Sequence, residues 1–325
     1  MRLATFEADG AQRIGTVDAA GQRVLDLAAA TAREGRCDPA FADMLALIAA
    51  GPAALDRARD LAERFAGETT IDRPLSAVKL LSPVPVPEQI RDFSVFPGHI
   101  RQAPVGMQRL AAKLKDEPEP AIAPANAVPP VYAAQPIYYK ANRFSVIGTD
   151  AVVRWPRYSQ VMDFELEFGI FVGKGGSDIP KARAREHIFG FTIFNDFSAR
   201  DAQMVEMQGM LGPAKGKDFD TGNAIGPWIV TADEIPDPYA LKMAVRVNGE
   251  AWASGDSSEM LHRFEDMIAF VSRDESLRPG EFFGSGTMGN GCGLEQGRFL
   301  KHGDVVELEV EKIGVLRNKV VRQEG

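Results

Sequence analysis

Residues 162–203 read MDFELEFGIFVGKGGSDIPKARAREHIFGFTIFNDFSARDAQ. Asp163, Glu165 and Glu167 alternate with Phe164, Leu166 and Phe168, which is the two-residue period of a β-strand with unlike faces. A strand rises about 3.3 Å per residue, so successive carboxylates on that face stand about 7 Å apart. Like charges at that spacing repel and cost stability unless a cation or a basic partner compensates. A second apolar run, IFGFTIFND, ends on Asp196, twenty-nine residues beyond Glu167. Two readings are open: a cluster of hard oxygen ligands for a divalent metal, or an acidic strand face turned to solvent. A second strand that closes on a further carboxylate adds weight to the first.

The rest of the chain bounds what such a site could serve. Its 325 residues suffice for a large core and two units. A hydrophobic content of 45% with 25% charged residues is that of an ordinary globular protein. The net charge of −8 argues against nucleic acid or an anionic membrane surface as the main partner. No apolar run approaches the roughly 20 residues that cross a bilayer, and MRLATFEADG has neither the apolar core nor the cleavage site of a secretory leader. Cys37 and Cys292 are too few for a disulfide framework, so a reducing cytoplasm is expected.

Residues 2–8 and 12–18 alternate about Asp9-Gly10, a hairpin signal, and a third strand is expected over Gln22–Leu27. Two helices are expected near 40–49 and 52–66, and SPVPVP reads as an extended linker. These residues are expected to form a small N-terminal α/β accessory domain, 1–80, with a catalytic domain over 81–325. In the latter, IRDFSVFPGHIRQ (90–102) carries a turn at Pro97-Gly98, and helical spacing is expected only near 107–115. Residues 116–135 are rich in Pro and Ala and read as an irregular excursion. From Pro136 the chain is β-rich, including a hairpin at Asn248-Gly249. Mostly strand, with short helices and no regular βα alternation, it is an α+β fold built on a mixed sheet or roll.

Other groups need weighing. Gly284, Gly286 and Gly289 match GxGxxG, yet they lie near the C-terminus and outside any βαβ unit. A tight loop that lets backbone approach a ligand is the better reading than a dinucleotide site. No two of His99, His187, His262 and His302 lie at a zinc-ligand spacing. His99, seven residues beyond Asp92 in a loop with a turn signal, is the functional candidate, and the other three read as structural. Cys292 reads as a small buried thiol, and Lys217 in GKDFDTG as either a solvated or a functional lysine.

Taken together, DFSVFPGH, YYKANRFSVIG, MDFELEFGIFVGKGG, IFGFTIFNDFSARDAQ, GKDFDTGNAIGPW and GSGTMG…GLE resemble the fumarylacetoacetate hydrolase family, in the family's order over roughly residues 85–325. The resemblance implies a β-rich roll that forms a homodimer. It implies Asp92, Glu165, Glu167 and Asp196 as ligands of Mg²⁺ (or Mn²⁺ or Ca²⁺), hard cations that prefer oxygen. Shorter members often lack an equivalent of Asp92, so its presence points to the fumarylacetoacetate hydrolase branch. His99 matches that branch's catalytic histidine, Glu295 the carboxylate that orients it, and Lys217 a group at the transition state. Tyr139, Gln203 and Thr287 match substrate-contacting positions; the family's carboxylate-binding arginine has no exact match, Arg109 standing one residue off and Arg101 being a competitor. Asp163 is not a ligand in this family and is expected to pair with a base or face water. Ser94 and Met207 stand where that branch has substrate-contacting tyrosines, so the far end of the substrate is expected to differ.

The implied activity is hydrolysis of a C–C bond in an acylpyruvate or 1,3-diketo acid. A His99–Glu295 pair activates water, Lys217 and Gln203 stabilise the oxyanion, and the departing enolate is stabilised by the cation. Decarboxylation, dehydration or isomerisation of a 2-oxo acid is the alternative on the same scaffold. The expected partner is a small 2-oxo or diketo acid.

Overall fold

The computed structural model describes residues 1–323. It is an α+β protein, as expected, with a twelve-stranded mixed sheet and a five-stranded sheet. The N-terminal hairpin pairs Arg2–Ala8 with Ala11–Val17 through Asp9 and Gly10, both at positive φ, the backbone of the turn that Asp-Gly favours. Three helices follow. Leu27–Arg33, an Ala-rich segment, starts at Asp26, whose side chain accepts from the Ala29 N–H at 2.9 Å. The strand expected over Gln22–Leu27 spans Arg23–Asp26, and Leu27 instead opens a helix that the spacing does not predict. Met44–Ala50 is capped by Asp43, and Pro52–Arg64 opens on proline, where the missing N–H costs nothing. Leu27, Ala30, Leu47, Ile48, Ala58 and Leu61 turn inward and share a core with Phe171, Phe194 and Ile229. The first strand also pairs with Asn223–Thr231, so the N-terminal strands extend the large sheet.

The central strands run in the order Asn223–Thr231, Ile188–Asp196, Leu166–Val172, Phe282–Gly284, Ile90–Phe93, Tyr138–Ala141. This order brings the acidic residues together. Glu167 pairs with Phe194 two residues before Asp196, Gly169 pairs with Gly284, and Gly284 lies beside Asp92, which faces Tyr139 on the next strand. Gly284 is required there: a Cβ would stand 2.5 Å from Asp92 Oδ1 and 3.2 Å from Glu167 Oε2, closing the space where the carboxylates meet. The second sheet carries the Asn248-Gly249 hairpin, and Val245, Leu308 and Leu316 on it pack with Phe168 and Phe191.

Two expectations need correction. The acidic segment has no solvated face. Residues 161–172 are all buried, and the strand breaks between Met162–Asp163 and Leu166–Val172, where Glu165 makes a lone bridge to Cys292. Helix also begins ten residues earlier than the spacing predicted. It spans Pro97–Leu114, with Pro97 in its first turn and Pro104 inside it, so His99 stands in the opening turn of a helix and not in a loop. Residues 116–129 are free of regular structure, as expected, and a short helix, Pro130–Ala134, closes the excursion.

Candidate metal centre and its histidine–glutamate pair

Asp92, Glu165, Glu167 and Asp196 each offer a carboxylate oxygen within 4.8 Å of the others, and all four are buried. Burial alone raises carboxyl pKa values, and mutual repulsion adds to it. Asp92 and Glu167 are pushed well above the ordinary range, by burial first and then by the neighbouring carboxylates. Burial also lifts Asp196, against the pull of Lys217, to about 6. Glu165 is held below the usual range, because the charges of Lys217 and Arg200 outweigh its burial.

Two buried cations partly balance the cluster. Lys217 Nζ lies 2.6 Å from Glu165 Oε2 and 2.5 Å from Asp196 Oδ2. Arg200 lies 2.8 Å from both Glu165 and Asp163. The Tyr139 hydroxyl, kept protonated by burial and by Asp196, donates to Asp196 Oδ2 at 2.6 Å. Asp92 Oδ1 and Asp196 Oδ1 still have no hydrogen-bond partner among the described residues. Unpaired buried carboxylate oxygens are costly. An all-oxygen donor set with a surplus of negative charge fits a hard divalent cation, and Asp92, Glu165, Glu167 and Asp196 are the residues that would hold it.

The loop read as GxGxxG serves this cluster. The Gly286 N–H donates to Glu167 Oε2 at 2.9 Å, and Thr287 Oγ1 lies 3.4 Å from Glu167 Oε1. Gly286 has φ +78°, and a Cβ there would fall 2.1 Å from the Phe93 carbonyl oxygen, so only glycine lets the loop come this close.

Asp163 pairs with a base: it accepts from Arg200 Nε and from the backbone N–H groups of Gly293 and Leu294 at 2.8 and 2.9 Å. Those N–H groups open the turn Gly293–Gln296 that carries Glu295, so Asp163 ties the cluster's strand to the Glu295 turn. Glu295 Oε1 lies 3.4 Å from His99 Nδ1, close in distance but outside hydrogen-bond geometry. The Cys292 thiol donates to Glu295 Oε2 at 3.3 Å. Burial first, and then Glu295 and Asp163, push the Cys292 pKa well up, which keeps it a thiol.

A cavity of about 850 Å³ opens over the cluster. The four carboxylates, His99, Lys217, Tyr139, Gln203 and Thr287 line it, as do Ser94 and Met207. Gln203 is oriented by Arg200, whose Nη1 donates to its Oε1 at 2.9 Å. Arg109 does not reach the cavity. It is directed outward on its helix, with Nε 3.1 Å from Glu119, and Arg101 donates to the Pro97 carbonyl. No arginine lines the cavity among the described residues. Cys292 is the buried thiol expected from the sequence, whereas Arg200 carries no signal there. The three like charges on one strand signalled that a base was needed, but nothing in local spacing said which.

Together, the sheet order and the buried carboxylate quartet define a divalent-cation site of the kind metal-dependent enzymes use. The chain belongs to the fumarylacetoacetate hydrolase family: the family's C-terminal domain profile matches residues 105–321. It is 40% identical over 190 residues to the mitochondrial oxaloacetate tautomerase FAHD2A of Homo sapiens, a match covering 58% of this chain and 59% of the human protein. A fumarylacetoacetate hydrolase from Exiguobacterium antarcticum superposes with a TM-score of 0.74 at 27% identity, over 99% of this chain and 100% of that one. Maleylpyruvate hydrolase from Sphingobium sp. SYK-6, solved with manganese(II) and pyruvate, shares the fold at 23% identity and a TM-score of 0.70, over the full length of both chains. The family thus includes hydrolases and tautomerases. No described helix is long and apolar enough to cross a membrane.

The raised carboxyl pKa values carry a prediction. A carboxyl raised on folding binds more protons in the folded than in the unfolded state between its two pKa values, so stability falls as pH rises through that window. For Asp196 the window runs from 3.8 to about 6, and for Asp92 and Glu167 it extends upward from their ordinary values. A divalent cation offsets this loss only where the carboxylates are ionised. The gain in melting temperature on adding Mn²⁺ to chelator-treated protein is therefore expected to be larger at about pH 8 than at about pH 5. Thermal unfolding at both values checks this, and an equal gain at the two contradicts it.

Proposed function

We propose that this protein is a divalent-metal-dependent enzyme that moves a proton at the carbon beside the carbonyl of a small 2-oxo acid, as in keto–enol tautomerisation of a 2-oxo diacid. The observation that carries the reading is the His99–Glu295 pair on the wall of a cavity whose floor is four buried carboxylates. A cation held by Asp92, Glu165, Glu167 and Asp196 would supply Lewis acidity toward a carbonyl oxygen. Glu295 accepts a hydrogen bond from His99 Nδ1–H once the pair closes by about half an ångström, which holds the tautomer whose Nε2 is the free base. His99 accepts the proton from carbon and returns it to the other face or position. Lys217, kept charged because Asp196 and Glu165 outweigh its burial, places an ammonium where negative charge grows on oxygen. Gln203 and Tyr139 position the carboxyl end of the acid. The 40% identity to an oxaloacetate tautomerase supports this reading.

C–C bond hydrolysis of an acylpyruvate is the second reading, and the cavity favours it. At about 850 Å³ it holds far more than a four-carbon acid, and its outer wall is apolar, with Ile100, Met107, Ile137, Met204 and Leu211. In that case His99 takes its proton from water, and Lys217 and Gln203 face the oxyanion. The two are separated by incubating Mn²⁺-loaded protein with enol oxaloacetate and with a series of acylpyruvates. Faster loss of the enol absorbance alone supports tautomerisation; release of pyruvate and a carboxylic acid supports hydrolysis. No turnover of either removes both. A homodimer and a reducing cytoplasmic location, in keeping with two free cysteines, complete the proposal.

A further inference from the structure

Beside the all-oxygen cluster stands a second donor group of different chemistry. His99 Nδ1, Cys292 Sγ and a Glu295 carboxylate oxygen lie within 4.8 Å of one another. Individual separations are 3.4 Å for Nδ1–Oε1, 3.3 Å for Sγ–Oε2 and 3.9 Å for Sγ–Nδ1. Tetrahedral zinc, with Zn–S of about 2.3 Å and Zn–N or Zn–O of about 2.0–2.2 Å, spaces its ligand atoms roughly 3.3–3.6 Å apart. The two short separations run to different oxygens of Glu295, so a single oxygen, which lies within 4.8 Å of both partners, reaches tetrahedral spacing after a small rotation of its carboxylate. An independent observation points the same way: the Glu295 side chain is fully buried, and its Oε1 has no hydrogen-bond partner although it faces His99 Nδ1.

We propose that His99, Cys292 and Glu295 form an inhibitory site for thiophilic divalent ions such as Zn²⁺ and Cd²⁺, distinct from the carboxylate quartet. Sulfur and imidazole select these ions, whereas the quartet offers oxygen only. His99 lines the cavity, so the ion enters there, and the fourth coordination position is left to water. On binding, the S–H bond of Cys292 breaks, its proton goes to solvent, and an S–metal bond forms; no electron is transferred. The ion also takes the Nδ1 lone pair of His99. The ring then carries its proton on Nε2, so the nitrogen that acts as base is blocked. The quartet and this site adjoin through the backbone bridge between Glu165 and Cys292. Binding does not depend on the proposed reaction; inhibition does, since it assumes that His99 is the base.

The test uses the full chain with Cys37→Ser, which leaves Cys292 as the one thiol. Titration with Cd²⁺ is expected to produce a thiolate-to-metal charge-transfer band saturating at one ion per chain. That band is expected to vanish in Cys292→Ser and to weaken by at least ~10-fold in affinity in His99→Ala and Glu295→Gln, as loss of a ligand should cost at least as much as loss of an outer-shell partner. Zn²⁺ should inhibit the Mn²⁺-supported reaction, and Cys292→Ser and Cys292→Ala should lose at least ~10-fold in zinc sensitivity when each is measured against its own zinc-free rate. Absence of the band from the Cys37→Ser protein overturns the site. So does a band of unchanged affinity in the His99 and Glu295 variants, or equal zinc sensitivity with and without the thiol. A band without inhibition leaves the site standing and overturns the assignment of His99 as base.

Discussion

Replacing His99 with alanine is expected to lower turnover roughly 100- to 10,000-fold, the usual contribution of a positioned acid–base group, while leaving Mn²⁺ affinity unchanged. His99 sits in the first turn of Pro97–Leu114, and among the described residues its polar side-chain contacts are Glu295 and Cys292, outside the four carboxylates. Its loss should therefore disturb neither the quartet nor the core beneath it. Steady-state kinetics beside metal titration of the same preparation read the two quantities separately. Wild-type turnover in the alanine variant contradicts the general-base assignment. A parallel loss of metal binding would mean that the histidine acts on the cation site instead.

Arg200→Leu is expected to destabilise the fold by about 3–5 kcal/mol, because removing one partner of a buried ion pair leaves the other charge uncompensated. Arg200 is 1% exposed and bridges Asp163 and Glu165. Burial works against its charge, yet those carboxylates outweigh it and hold the guanidinium fully protonated. Without it, Asp163 keeps only backbone donors, and the carboxylate that tethers the Glu295 turn is left without a compensating charge. Arg200→Lys retains the charge but not the fork that reaches two carboxylates, and should fall between. Denaturant unfolding of the three proteins measures this. Equal midpoints would show that the Asp163–Arg200–Glu165 arrangement adds nothing to stability.

How much of this was visible in the chain follows from how local each signal is. The alternation of Asp163, Glu165 and Glu167 and the strand ending on Asp196 mark a carboxylate cluster because strand geometry fixes their spacing. Asp92 is seventy-one residues from Asp163, and only the register that sets Ile90–Phe93 beside Phe282–Gly284 delivers it; the resemblance to the family supplied that residue, not the spacing. Arg200, and the contact of the buried Cys292 thiol with Glu295, were missed for the same reason: each arises through tertiary contacts that leave no periodic trace. The early start of the His99 helix was overlooked because Pro97-Gly98 also signals a turn, whereas proline in a first helical turn fits equally well. Arg109 was aligned by sequence distance, but its place on that helix directs it toward Glu119 and away from the cavity. Asp9-Gly10 and Asn248-Gly249 were legible because the turn chemistry is carried by two adjacent residues.

The proposed chemistry requires one cation held by Asp92, Glu165, Glu167 and Asp196. The most direct test is Mn²⁺ binding measured by calorimetry on chelator-treated protein, wild type beside Glu165→Ala, with turnover followed in the same samples. One ion per wild-type chain, none in the variant, and activity that returns only with the ion are the predicted results. Full turnover by the metal-free protein, or unchanged Mn²⁺ binding by Glu165→Ala, would contradict it.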